Sequence, residues 1–295
     1  MVSPARSGYF SRMETSITND QWVTTRAALR DSSRRFVELV AAADPAAMAT
    51  VDWTVVDTVA HVVIIAWMDN TLVDPGVPGL PVPNFPEELA SHTVDTVDRL
   101  NELCLSHYSE RDPRLLTSRL EAEVERLLDA TKDADPHLPV AWLGDSRVPI
   151  GGLLAHLVNE ILIHGWDIAR VAGLQWRMDG REAARFFDVF LAGVTRNGMG
   201  RLQEREGPVP DRRISVELRS RHAAPVVLVT EGKQFSLGKS GQNVDIRVYH
   251  DPGTLALMLF GRITRKRAVL HGKVLVLGRR PWLLPAFLRV VRFPS

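Results

Sequence analysis

In the segment HLVNEILIHGWDIA, His156, Glu160 and His164 recur at intervals of four. At about 100° per residue, positions i and i+4 share one face of a helix. Glu160 and His164 can therefore reach one metal ion together, through a nitrogen at ~2.0–2.1 Å and an oxygen at ~2.0–2.2 Å. Ile161, Leu162, Ile163 and Trp166 make this helix apolar nearly all round. That removes Glu160 from a solvated surface, and a carboxylate in such surroundings needs a partner. His61, in the middle of the apolar stretch DTVAHVVIIAW, is the candidate third ligand from a second helix.

Taken singly, each residue has an ordinary reading. A lone histidine on an apolar face is more often a satisfied core residue, and i,i+4 acid–histidine pairs are common on solvated helices. Together they predict a site whose donor atoms converge within roughly 4–5 Å. His156 is open between a fourth, weaker ligand and a hydrogen-bond partner behind the site. Asp167 is open between orienting a ligand imidazole and pairing with a backbone N–H or Arg170.

Three protein ligands leave a coordination position free, as catalytic rather than structural zinc does. A metal there lowers the pKa of bound water or of an incoming thiol. The chain's single cysteine, Cys104, adjoins no histidine or metal motif and reads as a small packed residue.

The elements that must position these residues are helical from Thr18 to Gly200. Trp22, Leu29 and Phe36 recur every seven positions, with Val40 on the same face, as an amphipathic helix requires. A second helix opens at Thr54, with Asp57 completing a capping box, and runs to about Leu72. The Pro- and Gly-rich stretch Asp74–Pro86 is a long loop, a kind that is often functional. A third helical region over Glu87–Asp133 is interrupted at Asp112-Pro113. The helix of the motif starts after Pro149 and stops at Gly173, and a fifth spans Gly180 to about Asn197. Four or five helices of these lengths predict an up-down bundle. After Asp211 short β-branched runs (ISVELRS, PVVLVTEG, FSLG, VDIRVYH, KVLVLG) and the helical DPGTLALMLFGRI predict a small α+β domain.

This divides the chain into a flexible tail at 1–17, a bundle at 18–200, a linker at 201–213 and an α+β domain at 214–295. Net charge is +1, with 45% hydrophobic and 24% charged residues; nothing in that balance calls for nucleic acid. The first 13 residues lack the apolar centre of a signal peptide, and Met13 is an alternative start. The apolar stretches, such as Val59–Met68, are shorter than the ~20 residues that cross a bilayer. With one cysteine, these features predict a cytoplasmic protein, monomer or homodimer, acting on a small-molecule substrate.

WTVVDTVAHV followed by VNEILIHGWDIARVAG resembles the metal-binding bundle of mycothiol-dependent maleylpyruvate isomerases, a branch of the DinB-like superfamily. VDRLNEL and the Trp142 loop fit the same pattern. The resemblance implies a DinB-like four-helix bundle with His61, Glu160 and His164 as ligands to a divalent metal, zinc first. It also implies mycothiol as the thiol cosubstrate of an isomerase or S-transferase acting on a small electrophile. The C-terminal part resembles sterol-carrier-protein-like domains, which such isomerases append. In these enzymes an arginine of that domain binds substrate carboxylate at the cleft. The phrase LFGR makes Arg262 the match, against the alternative of a solvated arginine at a helix end. The sterol-carrier likeness also supports a rival function, a non-enzymatic lipid- or acyl-binding module with a structural or vestigial metal.

From Pro252 to Ser295 there are nine Lys and Arg and no Asp or Glu. A docked C-terminal helix with a solvated basic edge is the default expectation. Weak contact with anionic lipid is the sharper one.

Overall fold

The computed structural model describes residues 16–293 apart from 206, 208, 210 and 242. Most of the tail expected at 1–17, with Met13, lies outside these residues. Ile17 corrects its boundary, being 7% exposed in the hydrophobic core. Four long helices form the bundle: α1 (Asn19–Ala41), α2 (Val55–Val73), α5 (Pro113–Ala130) and α6 (Ile150–Ala172). Both α1 and α2 pack against α5 and α6. Short helices α3 (Phe85–Ser91) and α4 (Val97–His107) fill the path from α2 to α5.

Local chemistry sets the ends of these helices. Thr54 and Asp57 form a reciprocal capping box at the start of α2, satisfying two backbone donors that have no partner within the helix. Gly173 ends α6 in the left-handed region at φ 67°, where a Cβ would be strained. By length and composition alone α2 could cross a membrane, which corrects the shorter span expected from its most apolar stretch. In this fold 72% of that window is buried, and α2 is a core helix of the bundle.

A hairpin that the periodicity had not revealed, β1 (Pro139–Trp142) and β2 (Ser146–Pro149), precedes α6. The helix expected at Gly180–Asn197 also differs. It begins as α7 (Gly180–Arg185), widens to a π-helical segment at Phe186–Leu191 and ends as α8 (Ala192–Asn197). Such wide turns occur often at functional sites, and this one sets Phe190 against the ring of His156, centroids 5.0 Å apart.

The second domain is a five-stranded sheet in the order β5-β4-β3-β6-β7, from β3 (Ile214–Arg219), β4 (Val226–Glu231), β5 (Gln234–Leu237), β6 (Ile246–His250) and β7 (Val274–Leu277). Only β3 and β6 pair in parallel. Helix α9 (Pro252–Leu259) joins β6 to the bundle side, and α10 (Arg265–Leu270) and α11 (Leu284–Phe287) follow. Among the basic C-terminal residues, Arg262, Arg280 and Arg292 pair with Asp167, Asp245 and Asp95. Those three are structural ties rather than part of a free basic edge.

Gly165 of α6 lies directly against the side chain of Trp176 in the loop that follows the helix. A Cβ there would overlap the Trp176 ring, which is held by its Nε1 donating to the Leu162 carbonyl at 2.9 Å. Gly165→Ala should therefore destabilise by about 1–3 kcal/mol, outweighing the ~1 kcal/mol helix propensity that Ala adds. A lower denaturant midpoint at unchanged slope is the expected reading.

Candidate metal centre

His61 comes from the middle of α2, and Glu160 and His164 from successive turns of α6. Nε2 of His61 and Nε2 of His164 each lie 3.4 Å from Oε2 of Glu160. One donor atom from each of the three residues falls within 4.8 Å of the others. Tetrahedral ligands at ~2.0–2.1 Å from a common centre stand ~3.3–3.4 Å apart. The three residues expected from the sequence are thus brought together at the spacing of one coordination sphere, and the donor set fits a divalent ion.

Their surroundings fix which atoms face that centre. His156 directs Nε2 to the other oxygen of Glu160, Oε1, at 3.3 Å. His156 thus faces the second carboxylate oxygen from the cavity wall, and Oε2 is left to the cluster. Nδ1 of His164 lies 3.2 Å from Asp167 Oδ2, so a neutral ring donates there and turns its Nε2 lone pair to the centre, as metal-bound histidines generally do. The Trp53 ring covers both ligand imidazoles, at 4.8 Å from His61 and 6.0 Å from His164.

Electrostatics are set by burial against these contacts. Burial pushes the Glu160 carboxyl up, but His164 and His61 hold it well below the ordinary range. Burial lowers His61. It opposes the charged form of His164 too, yet Asp167 and Glu160 win and raise that ring. A proton and a cation therefore compete for the same place between Glu160 and His164. Asp69, two turns beyond His61 on α2, is fully buried, with neither oxygen partnered among the described residues. Burial and the charge of Glu160 raise it well above the usual range, which favours its uncharged form.

Arg262 arrives at the end of α9. Its Nη2 is 2.9 Å and its Nε 3.2 Å from the Asp167 carboxylate, and its Nη1 donates to the Phe260 carbonyl at 2.7 Å. The solvated reading is corrected: the side chain is 18% exposed and lines the cavity in front of the metal centre. That cavity, about 150 Å³, is walled by Ile65, Met68, Leu100, Leu143, Ile163 and Phe260. It adjoins an outer chamber of about 800 Å³ that shares Trp53, Asn101, Phe260 and Arg262. Neither the Asp74–Pro86 loop nor any described residue of the 201–213 segment lines either space. The loop instead turns Leu80 and Val82 into the core.

Sequence reasoning missed Trp53, Asp69 and Phe190 as parts of this site. Asp69 carried a legible signal, an acid eight residues after His61 on the same apolar helix. Phe190 carried none, because its position depends on the π turn.

Asp167→Asn should keep the shape of the site but weaken zinc binding roughly 10–100-fold. His164→Ala should abolish stoichiometric metal, and competition against a chromophoric chelator measures both. Unchanged affinity in both variants would defeat the metal assignment. Cys104 is 5% exposed, and burial, with Glu88, pushes its thiol up to about 11. The thiolate forms only near and above that pH, so iodoacetamide at pH 8 should leave Cys104 unmodified in the native protein and alkylate it in denaturant.

The mycothiol maleylpyruvate isomerase N-terminal domain model matches residues 26–169. The chain is also similar to a crystal structure of the mycothiol-dependent maleylpyruvate isomerase, at 14% identity and TM-score 0.45. A histidine-to-alanine mutant of that enzyme aligns at 14% identity and TM-score 0.46. In each case 86% of this chain and 92% of the other are covered. No curated protein matches significantly. Residues 26–169, the segment that carries His61, Glu160 and His164, belong to the mycothiol maleylpyruvate isomerase N-terminal domain family.

Proposed function

We propose that the protein is a metal-dependent, mycothiol-using isomerase or S-transferase acting on a small electrophile. The observation that carries this reading is the convergence of His61, Glu160 and His164 on one point facing a cavity. The family of the helical segment and the position of Cys104 outside the cavity lining support an external thiol. Zinc is the metal of choice for two imidazoles, one carboxylate and an open position. When bound, such an ion brings a thiol from its free pKa of about 8.5 into the neutral range.

The chain's own residues do the rest. His61, Glu160 and His164 hold the ion, while Asp167, backed by Arg262, sets the tautomer of His164. His156 occupies the second oxygen of Glu160, and Trp53 covers the ligand rings. The apolar wall excludes water that would compete with the thiol. On a substrate whose double bond is conjugated to a carbonyl, the thiolate sulfur forms a bond to the β-carbon. The π pair then moves onto the carbonyl oxygen. Rotation about the new single bond, followed by return of that pair and loss of the thiolate, delivers the geometric isomer. A proton from solvent at the α-carbon would retain the thioether instead.

A second reading, the lipid- or acyl-binding module, draws on a separate cavity of about 160 Å³ between the sheet and α9–α11, walled almost wholly by apolar side chains with Arg265 beside them.

The test compares mycothiol, glutathione and no thiol on a panel of conjugated carbonyl electrophiles. Turnover should require mycothiol at pH 7, vanish with chelator and return with zinc. Equal rates in all three conditions would defeat the thiol mechanism. Stoichiometric fatty-acid binding without thiol-dependent turnover would favour the binding module.

A further inference from the structure

The sheet domain carries an apolar surface that the described residues leave uncovered. Half of the large hydrophobic side chains exposed among those residues lie between Tyr249 and Trp282. Val274 and Val276 of β7 line the apolar cavity beside α9–α11. Side chains alternate along a strand, so Leu275 and Leu277 face the other way, and they are 51% and 47% exposed. Tyr249 stands opposite Leu275 in the β6–β7 register and shares that face. Strand β7 is also an edge of the sheet. The segments flanking it add the most exposed side chains of the group, Leu270 at 84% before it and Trp282 at 68% after it. The strand is only four residues long, about 13 Å at ~3.3 Å per residue, so both flanks can meet one flat partner.

The charges around these residues have one sign. Arg265, Lys266, Arg267, Lys273, Arg279 and Arg289 are exposed, and none has an ion-pair partner among the described residues. From Pro252 to Ser295 there is no Asp or Glu. The acids on β3 and at the ends of β6 are already engaged. Buried Glu217 pairs with Arg219 and Arg247, Asp245 pairs with Arg280, and Asp251 caps α9 through Thr254. Two copies of this surface set face to face would therefore oppose cations with cations. Nucleic acid would use the cations but leave Leu270 and Trp282 in water. An anionic bilayer answers both features. Its phosphates meet the cations, and its boundary between headgroups and acyl chains takes up exposed leucine and indole side chains.

We infer that the β7 edge of the sheet domain, from Tyr249 to Trp282, is a docking surface for an anionic lipid bilayer. None of these apolar or cationic residues lines the cavity of the metal centre, so docking and the proposed chemistry are tested separately.

Flotation of the full chain reads the docking, with vesicles of phosphatidylcholine alone or mixed with phosphatidylglycerol. The protein should float with the mixed vesicles and not with the neutral ones, and binding should fall as salt is raised. Lys266→Gln/Arg267→Gln/Lys273→Gln should weaken binding at least about tenfold, since each cation near an anionic surface contributes about fivefold. Leu270→Ser/Trp282→Ser should also cost at least about tenfold, because two apolar side chains no longer leave water. All five positions are exposed, and unchanged circular dichroism checks that each variant is folded. Brominated acyl chains should quench the tryptophan fluorescence of the native chain and quench Trp282→Phe much less. Equal affinity for neutral and anionic vesicles, or flotation with neither, would overturn the inference. So would binding that either multiple variant leaves unchanged. Without flotation, a solution dimer that Leu270→Ser/Trp282→Ser dissociates would give the surface to a second copy instead.

Discussion

A carboxylate inside the apolar interior of a helical bundle is the constraint on which this structure turns. Glu160 sits on a helix whose neighbouring turns are filled with Ile161, Leu162 and Ile163, and its side chain is only 14% exposed. Ionised and unpaired, such a group would be strongly destabilising. The bundle answers with three imidazoles from two helices, two on Oε2 and one on Oε1. The packing of α2 against α6 brings His61 into that set, and burial with the charge of Glu160 raises the Asp69 carboxyl, which disfavours a second negative charge beside it. A cation shared by two of those imidazoles and the carboxylate satisfies the same demand more completely.

The second domain reaches the centre through one residue. Asp167 stands between His164 and Arg262, so the orientation of a bundle histidine is tied to a guanidinium brought by α9 of the sheet domain. Phe260, two residues earlier, packs its ring 5.4 Å from Phe186 of the π segment, and that segment sets Phe190 beside His156. The domain interface and the site are thus one packed unit. A shift of the sheet domain on the bundle would move Arg262 and the cavity wall together.

This arrangement divides labour between charge and exclusion. The imidazoles of His61, His156 and His164 gather on Glu160, with Asp167 against His164, while the cavity in front is walled mainly by aliphatic and aromatic side chains. The chain's own thiol stands apart from this centre: Cys104 is buried in α4, outside the cavity lining, and pushed up to about 11.

The Glu160–His164 pair and the helices that carry the cluster were legible in the sequence because they rest on local rules, whereas the approach of His61 depends on the packing of α2 against α6. The i,i+4 spacing places Glu160 and His164 on one face whatever surrounds them, and the capping box of Thr54 and Asp57 and the stop at Gly173 act within a turn or two of their own backbone. The order of helices followed by strands was readable for the same reason. What only the tertiary structure decided involves residues far apart in sequence. Arg262 lies 95 positions from Asp167, and neither residue alone distinguishes an inward ion pair from a solvated helix end. The π turn at Phe186–Leu191, the cover provided by Trp53 and the burial of Asp69 depend on which surfaces meet when the elements pack. Burial and partner geometry set those outcomes, and neither is encoded in the spacing of residues along one helix.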